Sequence, residues 1–333
     1  MIEINLPRVP LAFLPTPLEE LGRLTKVLGG PRLFIKRDDQ TGLATGGNKA
    51  RKLEFLVADG LEKGADMLIT TGGPQSNHAR QTAAAAARYG LNCHLVLSGE
   101  APDDWSGNLL LDSMLGAALS WAGESDPAEV MAQVAEARRA EGWQPYVIPL
   151  GGSNAVGATG YVLAMLELGE QLAAQSLEVE RIVVASGSAG TQAGLAVGAR
   201  AIGFGGQIVG ISIAARRDIL LPRLAALAGE TAALLGLDYA FSPADFTLYD
   251  DYLGGGYGVM GRAEREAIEL LARVEGLLAD PVYTGRALGG LIDLIRRGVF
   301  RAGENVLFWH TGGAAALFAP QYAELLLKPA ASR

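Results

Sequence analysis

Residues 181–201 read RIVVASGSAGTQAGLAVGARA: a β-branched run, a junction rich in glycine and hydroxyls, then a small-residue stretch of helical spacing. The first six residues predict a strand buried on both faces, because the apolar run is continuous rather than alternating. The junction SGSAGT then brings glycine-permitted backbone and the hydroxyls of Ser188 and Thr191 to a helix N-terminus, where free N–H groups favour an anion. A phosphate suits such a place. So does a plain tight turn that needs glycine only for packing, since the pattern is neither GxGxxG nor a Walker sequence and no acidic residue is spaced for a ribose.

The same strand-junction-helix order recurs outward from this point. Strands are predicted at 33–37, 65–71, 93–98, 146–150, 207–213 and 305–311, and helices at 76–89, 127–141, 155–174, 191–203, 261–278 and 286–297. Such βαβα order implies parallel sheets covered by helices on both faces, and two groups of units in 333 residues imply two sheets. Ligands of open parallel sheets bind beyond the carboxyl ends of the strands, so the junctions TGGNK (45–49), TTGGPQSNH (70–78), SGSAGT (186–191) and HTGG (310–313) are where function belongs.

In TTGGPQSNH the residues Ser76, Asn77 and His78 arrive in the first helical turn. Helix capping alone accounts for Ser and Asn there, and the same groups would also hold a carboxylate or an aromatic hydroxyl. Lys49, in GGNKARKLE, follows two glycines at the start of a helix. A helix N-terminus and neighbouring cations disfavour its ammonium, which is what an amine needs if it is to attack a carbonyl. Arg51 and Lys52 are expected on the surface, where most such side chains are solvated.

With 28 basic and 36 acidic residues the chain carries a net charge of −8 and has no basic stripe, so nucleic acid is not an expected partner. Cys93 is the only cysteine, which excludes an internal disulfide and fits a reducing compartment. It is expected as a small buried apolar residue, with His94 packed in the same run. His78, His94 and His310 have no metal-ligand spacing, and no metal is expected. Asp38 and Asp39 are expected in a turn with salt bridges rather than as a catalytic pair. No apolar stretch approaches the roughly 18 residues of a spanning helix, and the expectation is a cytoplasmic protein without a membrane partner.

Taken together, KRDDQTGLATGGNKARKLEFLVADGLEKGAD (36–66), GGPQSNHARQTAAAAA (72–87), VIPLGGSNAVGATGY (147–161), VVASGSAGTQAGLAVG (183–198), ADPVYTG (279–285) and HTGG (310–313) resemble the family of D-cysteine desulfhydrase and 1-aminocyclopropane-1-carboxylate (ACC) deaminase. The likeness runs from about residue 8 to residue 320. It implies fold type II of the pyridoxal-phosphate (PLP) enzymes, the tryptophan synthase β-like fold. That fold has a smaller α/β domain, here 54–161, a larger one, here 1–53 plus 162–333, and the cofactor in the cleft between them. It further implies a homodimer acting on a small amino acid.

The resemblance also assigns roles. Lys49 is the residue that forms an imine with PLP and later moves the substrate α-proton. Asn77 bonds the ring hydroxyl, while Ser76 with Gln75 or His78 faces the substrate carboxylate. Gly187, Ser188, Ala189, Gly190 and Thr191 form the phosphate cradle. Tyr257, in GGGYGV, and Tyr283 flank the substrate, with Ser76 and Lys49 as the other catalytic groups. Relatives active on ACC carry Glu and Leu where this chain has Thr284 and Thr311. A Thr311 hydroxyl near the ring nitrogen stabilises a protonated ring less than a carboxylate would. Both positions favour the carbon–sulfur lyase branch, with Thr284 beside the substrate.

The sequence departs from its relatives at Arg286, at Trp309 and in a short 99–108 stretch. Release of sulfite from L-cysteate is therefore a second expectation, ACC deamination a third, and a catalytically silent small-molecule binder the non-enzymatic one.

Overall fold

Strand β7 (Arg181–Ser186) lies inside a six-stranded sheet, buried beyond its first residue as its continuous β-branched run requires. The computed structural model describes residue 2 and residues 4–327. The other strands are β1 (Leu18–Glu20), β2 (Arg32–Arg37), β3 (Met67–Gly72), β4 (Asn92–Leu97), β5 (Ala118–Trp121), β6 (Pro145–Val147), β8 (Gln207–Ser212), β9 (Thr247–Tyr249) and β10 (Asn305–His310). The larger sheet has the order β1-β2-β10-β7-β8-β9 and is parallel except for β1, which runs against β2. The smaller sheet, β5-β4-β3-β6, is wholly parallel.

Eleven α-helices cover these sheets in the described residues: α1 (Gly22–Leu28), α2 (Lys49–Glu62), α3 (Asn77–Arg88), α4 (Gly107–Met114), α5 (Pro127–Ala140), α6 (Ala155–Gln175), α7 (Gly190–Ile202), α8 (Arg217–Leu234), α9 (Arg262–Glu275), α10 (Thr284–Arg296) and α11 (Pro320–Leu327). None is long and apolar enough to cross a membrane. Their starts are chemically marked. Ser76, Asp126 and Asn154 each cap a helix by accepting a backbone N–H, and Pro127 occupies the first turn of α5, where its missing N–H costs nothing.

The larger sheet buries both faces. Ile35, Val183, Ile211 and Phe308 meet Leu288, Leu291 and Ile292 of α10 on one side, and Val184, Leu307 and Trp309 meet Tyr161, Met165 and Leu168 of α6 on the other. The smaller sheet packs Leu68 and Leu95 against Ala79 and Ala83 of α3, and Ile69 and Val96 against Met131 and Ala135 of α5. Cys93 is a buried free thiol in the α3 layer.

The small residues of 190–202 set how closely α7 approaches α6. A Cβ on Gly194 would lie 2.2 Å from the Ala158 carbonyl oxygen, and one on Gly198 would lie 2.6 Å from Met165 Cβ. The two backbones pass at a distance only glycine permits, and this crossing fixes the N-terminal end of α7, where the SGSAGT junction sits. Gly194→Ala must push α6 off its seat, and overpacking of this kind costs about 1–3 kcal/mol. A urea midpoint lowered accordingly, with the slope of the transition unchanged, is the expected result.

Three strands and several helices lie outside the sequence reading. β1, β5 and β9 are only three or four residues long, too short to show a pattern of their own. The strand expected at 146–150 ends at Val147, because Pro149 cannot donate to the ladder and the chain turns there through Gly151 at φ 69°.

Candidate active site

Lys49 opens α2 and is delivered by the Gly46–Gly47 turn. Gly46 adopts φ 74°, and a Cβ there would meet the Asp39 carbonyl oxygen at 1.9 Å, so no other residue fits. The turn is tied down on two sides. The Asn48 backbone N–H donates to the Thr311 carbonyl at 3.0 Å, and its Nδ2 donates to Thr191 Oγ1 at 3.1 Å. Lys49 is buried, lines a cavity of about 560 Å³, and has no hydrogen-bond or ion partner among the described residues. Burial pulls its ammonium down to about 8.

The cavity lies at the carboxyl ends of both sheets, as expected for open parallel sheets. The β3–α3 junction contributes Ser76, Asn77 and His78, the β7–α7 junction contributes Gly187, Ser188, Ala189 and Thr191, and Tyr257, Tyr283 and Thr311 close the ring. Gly190 sits at the first position of α7, beside the cavity.

Arg51 and Lys52 are not on the surface; each is about 1% exposed. Arg51 donates to Asp38 and Glu167, partners too distant in sequence for local context to show. Lys52 Nζ donates to the Gly151 carbonyl at 3.0 Å and to Ser153 Oγ at 3.1 Å. A Cβ on Gly190 would lie 2.7 Å from that Nζ, so the Lys52 ammonium stands at the N-terminus of α7. Ser153 Oγ accepts from the Gly190 N–H at 3.2 Å and lies 2.7 Å from Ser188 Oγ. Ala189 holds φ 75° without being glycine, strain of the kind found where backbone is shaped around a ligand. The Lys52 amine, the helix N-terminus and the hydroxyls of Ser153 and Ser188 thus converge, a donor set that fits a phosphate. Sequence reasoning missed Lys52 and Ser153; the SerAsn cap of α6, in VIPLGGSN, was the available signal for Ser153.

Tyr257 and Tyr283 share a 2.7 Å hydrogen bond between their hydroxyls and meet edge to face at 5.9 Å. Burial, reinforced by the neighbouring Tyr257, raises the Tyr283 phenol well above its usual range, so it acts as a proton holder. Arg286 donates to Glu264 at 2.7 Å and to the carbonyls of Ile213, Gly256 and Val259, pinning the loop that carries Tyr257. His78 is neutral, its pKa pushed well down by burial and by Lys49 and Lys52, and its Nε2 meets Thr70 Oγ1 at 2.9 Å. It lines the cavity as a neutral ring, without a charge for a carboxylate.

Two expected substrate contacts are spent elsewhere. Gln75 does not line the cavity; it donates to the Ser106 carbonyl and accepts from the Asn108 N–H, stitching the 99–108 stretch to α3. Thr284 is fully buried, its hydroxyl donating to Asp280 at 2.7 Å and accepting from the Asp280 N–H at 2.6 Å. As the first residue of α10 it closes the helix N-terminus instead of reaching the substrate. Asp38 and Asp39 lie in the turn after β2, paired with Arg51 and Arg37 respectively. His94 bonds Ser120 Oγ at 2.8 Å.

A buried lysine without a partner among the described residues and a donor set that fits a phosphate line one cavity, an arrangement suited to PLP, and the comparisons place the chain among PLP-dependent enzymes. The pyridoxal-phosphate dependent enzyme family matches residues 9–312. D-cysteine desulfhydrase of Klebsiella pneumoniae (strain 342) is 47% identical over 319 residues, covering 94% of this chain and 96% of that protein. The enzyme of the same name from Yersinia enterocolitica serotype O:8 / biotype 1B (strain NCTC 13174 / 8081) is equally similar over the same extent. A crystal structure described as an ACC deaminase homologue superposes with a TM-score of 0.89 at 40% identity, covering 97% of this chain and 96% of that one. The chain belongs to the D-cysteine desulfhydrase and ACC deaminase family of PLP-dependent enzymes, with the type II fold.

The lowered Lys49 pKa has a direct readout. The amine is charged below about pH 8 and neutral above it, whereas an exposed lysine stays charged to about 10.4. In cofactor-free protein, one fast-reacting amine mapping to Lys49 should react with trinitrobenzenesulfonate with a midpoint near pH 8. A midpoint near 10 would show a solvated side chain. In the loop that carries Tyr257, Arg286→Leu leaves Glu264 buried without its ion partner, which costs about 3–5 kcal/mol. Thermal unfolding should register that loss, and proteolysis within 253–260 should quicken.

Proposed function

We propose that the protein is a PLP-dependent β-elimination lyase of the D-cysteine desulfhydrase type, converting D-cysteine and water to pyruvate, hydrogen sulfide and ammonia. The observation that carries this reading is Lys49: a buried, partnerless amine, depressed to about 8, across from a phosphate cradle. When bound, PLP delocalises the negative charge left on the substrate α-carbon once its hydrogen is removed.

The protein's own groups do the rest. The cradle residues from Gly187 to Thr191, with Lys52, hold the cofactor phosphate, and Asn77 holds its ring oxygen. Ser76, the N-cap of α3, receives the substrate carboxylate with the aid of the helix N-terminus. The Lys49 Nζ, poised near neutrality, removes the α-proton. The Tyr283 hydroxyl, backed by Tyr257, supplies a proton to the departing sulfur. Thr311 lines the cavity at the end of β10 and offers the ring nitrogen a hydroxyl rather than a carboxylate. This weaker stabilisation of a protonated ring suits expulsion of a good leaving group better than opening of a strained ring. The reading also takes the working form as a cytoplasmic homodimer, with residues 54–161 as its smaller domain.

A second reading has one observation in its favour. Arg223 of α8 lines the cavity, a cation that the conserved-looking motifs do not contain and that a sulfonate would welcome. The test is a panel of D-cysteine, L-cysteine, β-chloro-D-alanine, L-cysteate, D-serine and ACC, assayed for pyruvate, 2-oxobutyrate, sulfide and sulfite. The highest kcat/KM is expected for D-cysteine with release of sulfide. A preference for L-cysteate with release of sulfite, or for ACC with release of 2-oxobutyrate, would replace this reading.

A further inference from the structure

Behind Asn77 lies a buried polar group that the proposed chemistry leaves unused. Arg80, one turn further along α3, is fully buried. Its Nη1 donates to Asn77 Oδ1 at 2.9 Å and to Asn108 Oδ1 at 2.5 Å, and its Nη2 donates to the Gly46 carbonyl at 2.8 Å. Asn108 Nδ2 donates to the same Asn77 Oδ1 at 3.1 Å and to the Gln75 carbonyl at 2.9 Å.

A carboxamide has one acceptor end and one donor end of nearly equal shape. Here the acceptor end faces two donors. Turning the amide over would set its NH₂ against the Arg80 guanidinium and the Asn108 NH₂, leaving both donors buried and unpaired, which costs more than the bonds themselves are worth. Only the Asn77 Nδ2 end is left for the cavity.

The geometry points to Arg80, assisted by Asn108, as a positioning residue that locks Asn77 with its donor end toward the ring oxygen of the cofactor. The inference rests on the reading of Asn77 as the partner of that oxygen. A fixed donor favours the oxyanion form of the ring oxygen over the protonated form, and hence the long-wavelength absorption of the bound cofactor. The carboxylates near Arg80 leave this role to it. Asp280 is engaged by the N–H groups of Val282, Tyr283 and Thr284. The carboxylate of Asp112, on α4 one turn beyond Asn108, accepts no hydrogen bond among the described residues, and burial raises its pKa to about 8.

Arg80→Lys keeps the charge but not the fork, and Asn108→Ala leaves the guanidinium in place. In the full-length protein loaded with PLP, without substrate and at one pH, each should lower the ratio of long- to short-wavelength bands by about threefold. Each should also weaken PLP binding to the cofactor-free protein by about tenfold, the scale of a lost charge-assisted bond. In an Asn77→Ala background the Arg80→Lys change should add nothing further to the ratio. The inference is overturned if Asn108→Ala leaves both readouts within twofold of the parent, or if Asn77→Ala itself leaves the spectrum unchanged. It is overturned equally if Arg80→Lys acts undiminished without Asn77, which would mean that Arg80 works only through the Gly46 turn or its charge. Failure here leaves the substrate panel untouched, since no turnover is measured.

Discussion

Arg51 and Asp38 form the buried ion pair on which the position of Lys49 depends. Arg51 lies two residues beyond Lys49 on α2, and its guanidinium meets Asp38 at 2.9 Å and Glu167 of α6 at 2.9 Å. Asp38 also accepts from Thr16 Oγ1, Tyr161 Oη and Trp309 Nε1, and Lys36 adds a second cation on Glu167. Burial by itself would raise the Asp38 pKa, yet Arg51, the Tyr161 hydroxyl and Lys36 hold it below the usual carboxylate range. Two cations and two carboxylates share a region almost without water, which is tolerable only because nearly every lone pair is answered. One cluster thereby joins the ends of β2 and β10 to α2 and α6. Trp309, at the end of β10, joins this cluster through its indole N–H.

The anchoring lets the cavity hold what it otherwise could not. Lys49 and Lys52 are both buried; burial lowers the pKa of each, and the neighbouring Lys49 lowers that of Lys52 further. Two buried amines side by side are costly to keep charged, and a ligand carrying an aldehyde and a phosphate would offer each of them a partner. The glycine turn before Lys49 and the glycine crossing of α6 and α7 bring backbones nearer to one another than side chains would allow, and Ala189 holds a positive φ beside them.

Much of this was legible in the sequence because it resides in junctions, where glycine, hydroxyl and amide residues have few alternative reasons to cluster. The RIVVAS strand, the SGSAGT junction at a helix N-terminus and Lys49 at the start of a helix after its two glycines follow from local pattern alone. Arg51 and Lys52 did not, because their partners, Asp38 and Glu167 for the one and Gly151 and Ser153 for the other, are brought to them by the fold, and a charged side chain on a helix looks solvated until its partner is known. Gln75 and Thr284 failed for the opposite reason. They stand beside site residues in the chain, but a neighbour on a turn or at a helix start points away from the cavity, and each found a backbone group to satisfy. The role of Arg80 was invisible for a third reason, since AsnHisAlaArg reads as an ordinary helical turn until Asn108 is brought against it by the fold.

The central claim is a covalent one: the amine of residue 49 joins the PLP aldehyde. Reduction of the PLP-loaded protein with borohydride, followed by proteolysis and mass spectrometry, tests it directly. A single pyridoxyl-phosphate adduct on Lys49, absent from Lys49→Ala, is the predicted result. An adduct on Lys52 or another lysine, or no adduct in a protein that still binds PLP, would contradict it.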